Sequence, residues 1–182
     1  MKYDSETHHR RSVRYPGYDY RQMGAYFVTI CAYQKEPIFG QVVEDTVQLS
    51  PIGEIADRLW RDIPLHKVNV QCPVWVVMPN HLHGIIVIEN GEYKKDEALT
   101  AADRDSNAPS LRNAPAGSLG AVVGNFKSVS TRQVNRLRDT PGARVWQMSY
   151  YEHIIRNESD YNRIVHYIVT NPLRWDKDDY YV

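Results

Sequence analysis

Little in this sequence could staple a fold covalently. Only two cysteines, Cys31 and Cys72, occur among 182 residues, each inside an apolar stretch. That excludes a disulfide framework and a four-ligand structural zinc site built on thiolates, and both are expected to be buried thiols. Net charge is lacking as well: 22 Lys and Arg balance 22 Asp and Glu, so total charge does not point to a polyanionic partner. No stretch approaches the run of about 18 apolar residues that a membrane helix needs, and the opening Met1-Lys2-Tyr3-Asp4 has no apolar core of a secretion signal. No membrane partner and a cytoplasmic location are expected. Internal repeats are absent.

What is present suits one globular domain. Hydrophobic residues make up 42% and charged residues 24%, enough to build a core, and at about 150 residues per domain the length allows one domain with insertions. Residues 1–22 are polar, basic and tyrosine-rich and read as an arm. Residues 26–33 (YFVTICAY), β-branched and aromatic, read as a strand, with a hairpin partner in the KEPIFG and VQLS that follow. Ser50 and Pro51 are an N-cap and first helical residue. Ile52, Ile55, Leu59 and Ile63 then recur at helical spacing up to about Ile63, before Pro64.

Strands are predicted over 68–78 and 83–88, with Pro79 and Asn80 turning the chain between them. Residues 91–118, poor in large apolar side chains, read as a flexible insertion. A helix over 119–138 turns Val122, Phe126, Val129 and Leu137 inward and its basic residues outward. A strand over 145–155 precedes a last helix opening near Ser159 or Asp160, with Tyr161, Ile164, Val165 and Ile168 as its apolar stripe and Pro172 as its limit. Antiparallel strands with helices between them imply an α+β, ferredoxin-like fold with helices packed on the sheet. The domain is expected over 23–175, followed by a tail at 176–182.

The sharpest chemistry lies at His81-Leu82-His83. On a strand, alternate side chains share a face, so two imidazoles point together while Leu82 enters the core. Such a pair can hold one divalent ion, although an ordinary pair of surface or core histidines has the same spacing. Asn171 offers an amide oxygen, and Tyr167 lies one helical turn earlier, about 40° around the axis. Among 13 tyrosines, a half-buried packing role for Tyr167 is the ordinary alternative.

Two segments carry a family resemblance. VWVVMPNHLHGIIVI (74–88) resembles the metal-binding strand of the HUH single-tyrosine, IS200-like transposases. VWQMSYYEHIIRNESDYNRIVHYIVTNP (145–172) resembles the carboxy-terminal part of the REP-associated tyrosine transposases. YDYRQMGAYFVTIC and LSPIGEIADRLW extend the likeness over most of the chain, apart from 91–118 and the extreme ends. The resemblance implies that His81 and His83 are metal ligands, that Asn171 is a third, and that Tyr167 attacks DNA, with Tyr161 its competitor in the same helix. It also implies Mg²⁺ or Mn²⁺ as cofactor, single-stranded DNA hairpins as partners, a 5′-phosphotyrosine intermediate, a monomer or homodimer, and association with the nucleoid.

Phosphate contacts are expected from Arg10, Arg11 and Arg14 in the arm, from Lys127, Arg132 and Arg136 in the basic stretch 126–144, and from Arg156. Tyr15, Tyr18, Tyr150 and Tyr151 are candidates for stacking on bases. Two other readings compete with the transposase-like nuclease. One is a domesticated, non-cleaving hairpin-binding protein; the other is a phosphodiesterase that uses water as nucleophile while Tyr167 merely packs.

Overall fold

The computed structural model describes residues 22–89, 115 and 117–181. Most of the predicted arm, with Arg10, Arg11, Arg14, Tyr15 and Tyr18, and most of the predicted insertion lie outside the described residues. The elements run β1 (Gly24–Cys31), β2 (Gly40–Val43), β3 (Thr46–Leu49), α1 (Pro51–Arg61), α2 (Ile63–His66), β4 (Val70–Gln71), β5 (Trp75–Met78), β6 (His81–Ile88), α3 (Leu119–Arg138), β7 (Tyr151–Ile155), α4 (Glu158–Thr170) and a 3₁₀ segment Pro172–Lys177.

The five-stranded sheet has the order β4-β6-β1-β7, with β5 also paired to β6, and every pairing is antiparallel. This is the expected α+β, ferredoxin-like arrangement, with α1 and α3 as its two crossovers. The hairpin of β2 and β3 forms a separate two-stranded sheet.

Local chemistry explains where the elements differ from their predicted bounds. The strand over 68–78 is two short strands, because Pro73 has no N–H to give to the ladder. Pro64 does not end the helical stretch after Ile63; it sits in the first turn of α2, where a missing N–H costs nothing. The cap of α4 is Asn157, whose side chain accepts from the Asp160 N–H, so the helix opens earlier than Ser159. Of 145–155 only Tyr151–Ile155 is strand, Trp146 contributing an isolated bridge to Ala32. Leu137, expected inside, is 54% exposed in the last turn of α3.

Alternation along β6 divides the molecule. Leu82, Ile86 and Ile88 join the main core with Tyr26, Val28 and Ile30 of β1, Trp60 of α1 and Val122, Val123 and Phe126 of α3. His81, His83, Ile85 and Val87 point to the other face, where Phe27 and Ile85 form a second cluster with Ile164 and Ile168 of α4. One face is therefore sealed by α1 and α3, while α4 covers only part of the other, and the histidines lie on that second face.

Gly84, next to the histidines, serves the first face. A Cβ there would stand 2.5 Å from the buried Trp60 ring, and the indole is held on its other side by Phe126, at 5.1 Å between ring centroids. Gly84→Ala is expected to destabilise the fold by about 2 kcal/mol through overpacking and to lower Tm by roughly 4–8 °C. An unchanged thermal midpoint would show that the indole yields.

Candidate metal and nucleophile site

His81 and His83 are the first and third residues of β6 and are both buried. Their Nε2 atoms lie 2.9 Å apart. Cis ligands of an octahedral ion at about 2.1 Å are about 3.0 Å apart, so the pair fits one ion with little movement. Each ring is held from behind: His81 Nδ1 is 2.8 Å from Asn80 Oδ1, and His83 Nδ1 is 2.8 Å from Thr29 Oγ1 on the paired strand. Burial pulls the His81 imidazole down to about 4 despite the opposing pull of Asp178. Burial and the neighbouring His81 likewise hold His83 well below the usual histidine range. Both rings are neutral at pH 7, the form that can ligate a metal.

Tyr167 comes from α4, and its hydroxyl is 3.2 Å from His83 Nε2. Phe27 forms the floor beneath them, stacked on His83 at 5.4 Å and meeting Tyr167 edge-on at 6.0 Å. The phenol is 39% exposed and so open to an incoming substrate. Burial of its oxygen, followed by Asp178, Tyr180 and Asp179, raises its pKa, against a hydrogen bond from Asn171. Tyr161, the competitor predicted from sequence, packs instead in the apolar cluster beneath α4.

Asn171, buried just past α4, donates from Nδ2 to Asp178 Oδ2 at 2.8 Å, while its Oδ1 has no hydrogen-bond partner. The residues predicted as a tail return over the site. His81, His83 and Asp178 each offer a ligand atom within 4.8 Å of the others, so two oxygen donors, Asn171 Oδ1 and the Asp178 carboxylate, compete for the third position. The Tyr180 ring lies 4.6 Å from that of His81, its carbonyl accepts from Asn80 Nδ2 at 2.7 Å, and burial pushes its phenol up to about 12. Tyr180 is thus the geometric rival of Tyr167. Asp178 and Tyr180 had no motif by which sequence reasoning could find them, and Asn80 and Thr29, though inside the segments that carry the resemblance, were read only as turn and strand residues.

No family model matches the sequence. An uncharacterized protein of Haemophilus influenzae Rd is 39% identical over 185 residues, spanning 100% of this chain and 98% of its own. The chain belongs to the family of that protein. A REP-associated tyrosine transposase, solved bound to a REP hairpin, matches the structure with a TM-score of 0.55 at 18% identity, over 88% of this chain and 73% of that one. The family member described here therefore shares its fold with that transposase.

Among the described residues, the predicted phosphate-binding residues are not gathered at this site. Lys127 is buried, and its ammonium donates to the carbonyls of Gln147, Met148 and Ser149 at 2.9, 3.3 and 3.0 Å, so the outward orientation expected for it is replaced by an internal one. Arg132 and the exposed Arg136 ride on α3, across the sheet from the histidines. Arg156 is exposed just before α4. Both cysteines are buried thiols, burial raising Cys31 to about 11 and Cys72 to about 12, and neither belongs to the group formed by His81, His83 and Asp178. Among the described residues no helix is long and apolar enough to cross a membrane.

The neutral histidines make stability depend on pH. The unfolded chain binds the His81 proton near its ordinary pKa of about 6.5, the folded chain only near pH 4. Stability contributed above pH 6.5 is therefore lost as the pH falls through that window, on the order of 3 kcal/mol in all. Urea midpoints of the metal-free protein should fall steadily from pH 7 to pH 4.5; a flat profile would contradict a buried neutral pair.

Proposed function

We propose that this protein is a metal-dependent single-stranded DNA endonuclease and strand transferase that acts on hairpin or palindromic DNA through a 5′-phosphotyrosine intermediate. The observation that carries the reading is the meeting of a phenol from α4 with the two imidazoles of β6: the Tyr167 hydroxyl is 3.2 Å from His83 Nε2, which is 2.9 Å from His81 Nε2. The hairpin in the neighbouring transposase structure supports the choice of substrate.

Two imidazoles with oxygen donors and no thiolate suit Mg²⁺ or Mn²⁺. His81, His83 and either Asp178 or Asn171 would hold the ion. When bound, it would polarise the scissile phosphate and stabilise charge that develops there. Tyr167 then supplies the nucleophile. Its oxygen bonds to phosphorus, the bond to the 3′ oxygen breaks, the phenol loses its proton and the departing 3′ oxygen gains one. The phosphoester energy is kept in the tyrosyl link, so attack by a 3′-hydroxyl reverses the step and joins strands. Single-stranded substrate fits a phenol that is only partly exposed beside buried imidazoles, and the exposed Tyr151, edge-on to Phe27 at 6.2 Å, is placed to stack on a neighbouring base.

The test is direct. Protein mixed with a single-stranded hairpin oligonucleotide and Mn²⁺ should give a protein–DNA adduct that survives denaturation, and EDTA should prevent it. Tight hairpin binding with no strand cut under any divalent ion would favour the non-cleaving reading. Cleavage without an adduct would favour water as the nucleophile.

A further inference from the structure

Asn80 is fully buried in the turn between β5 and β6, and its own carbonyl accepts from the N–H of Ala32, just past β1, at 2.8 Å. Its side chain faces two groups of different character. On one side, at 2.7 Å, is the backbone carbonyl of Tyr180, which can only accept. The amide atom turned to it must therefore be the NH₂ group. That leaves Oδ1, also only an acceptor, facing His81 Nδ1 at 2.8 Å, so the hydrogen in that bond must be on Nδ1. A neutral imidazole carries one ring hydrogen, and His81 Nε2 is then bare, with its lone pair directed at His83.

His83 is not locked in the same way. Its Nδ1 meets the Thr29 hydroxyl, which can donate or accept. With His81 Nε2 bare, the metal-free His83 carries its hydrogen on Nε2, toward His81 and the Tyr167 oxygen, and Thr29 donates to Nδ1. Exposing a lone pair at His83 Nε2 needs a move of that hydrogen to Nδ1 and a rotation of the Thr29 hydroxyl, which also meets the Tyr180 phenol.

We propose that Asn80 is a positioning residue for the metal site, one that holds His81 as the Nδ1-protonated tautomer, with its orientation set by the returning carbonyl of Tyr180. The inference rests on the reading of His81 as a metal ligand. It adds that the two histidines are unequal: His81 is a ligand prepared in advance, and His83 must change tautomer to become one. Partners behind a ligating imidazole commonly alter metal affinity by about 10–100-fold.

The experiment combines ¹⁵N NMR of the imidazoles in the metal-free protein with Mn²⁺ titration followed by electron paramagnetic resonance. Wild type should show His81 protonated at Nδ1 and His83 at Nε2. Asn80→Ala should lose the single His81 tautomer and bind Mn²⁺ about 10–100-fold more weakly. Asn80→Asp, which keeps an acceptor toward His81, should retain the tautomer and most of the affinity. A His81 protonated at Nε2 in wild type overturns the inference whether or not the variants fold. Unchanged Mn²⁺ affinity in Asn80→Ala overturns it too, and leaves the metal reading standing. Failure of wild type to bind Mn²⁺ while His81 shows the stated tautomer removes the metal reading itself, and the positioning role with it.

Discussion

Tyr167→Phe is expected to abolish the covalent protein–DNA adduct, with a fall on the order of 10³-fold or more in strand cleavage, while hairpin affinity changes by less than about twofold. The substitution removes one oxygen and keeps the ring that meets Phe27 edge-on at 6.0 Å, so α4 should remain seated on the sheet. Mn²⁺ affinity should also hold, because no proposed ligand is touched. Tyr180→Phe is the matching control. Its ring stands 4.6 Å from His81, and a second phenol so close to the imidazoles is the one group placed to take over the attack. Adduct that persists in Tyr167→Phe and vanishes in Tyr180→Phe would reverse the assignment of the nucleophile.

His83→Ala should cost as much activity by another route. Removing Nε2 deletes a proposed ligand and the 3.2 Å contact to the Tyr167 hydroxyl. Loss of phosphate polarisation is worth several kcal/mol of barrier, about 10³-fold in rate. This variant should lose Mn²⁺ binding, which separates it from Tyr167→Phe. His83 is buried and stacks on Phe27 at 5.4 Å, so its removal also opens space in the second cluster. The metal-free thermal midpoint measures that structural cost independently. Cleavage at the wild-type level with an intact midpoint would move the metal site elsewhere.

The sequence carried the local pattern well. Period-two alternation around Leu82 set His81 and His83 on one face, because that period belongs to any strand whatever it pairs with. Capping chemistry located the start of α1 at Ser50, and the extent of α3 matches the helix read over 119–138. In α4, the family resemblance left Tyr161 as a competitor to Tyr167 for the role of nucleophile. Only the seating of the helix on Phe27 and Ile85 separates them, sending Tyr161 into the apolar cluster and Tyr167 to His83.

Charge was the poorer guide. Lys127 sits in a basic stretch that reads as a phosphate-binding surface, yet its ammonium is taken up by three carbonyls of the segment before β7. A lysine and a nearby run of carbonyls have no spacing that announces their meeting.

Hydrogen-bond periodicity and helix caps are short-range properties, and so the strand bearing two imidazoles and the helix bearing a phenol could be read from the residues alone. Which further groups join them depends on where the chain returns after its last helix. Asp178 and Tyr180 reach the histidines because the 3₁₀ segment Pro172–Lys177 carries the backbone back over β6, where Asn80 ties down the Tyr180 carbonyl. That contact spans 100 residues of sequence, and tertiary packing alone decided it.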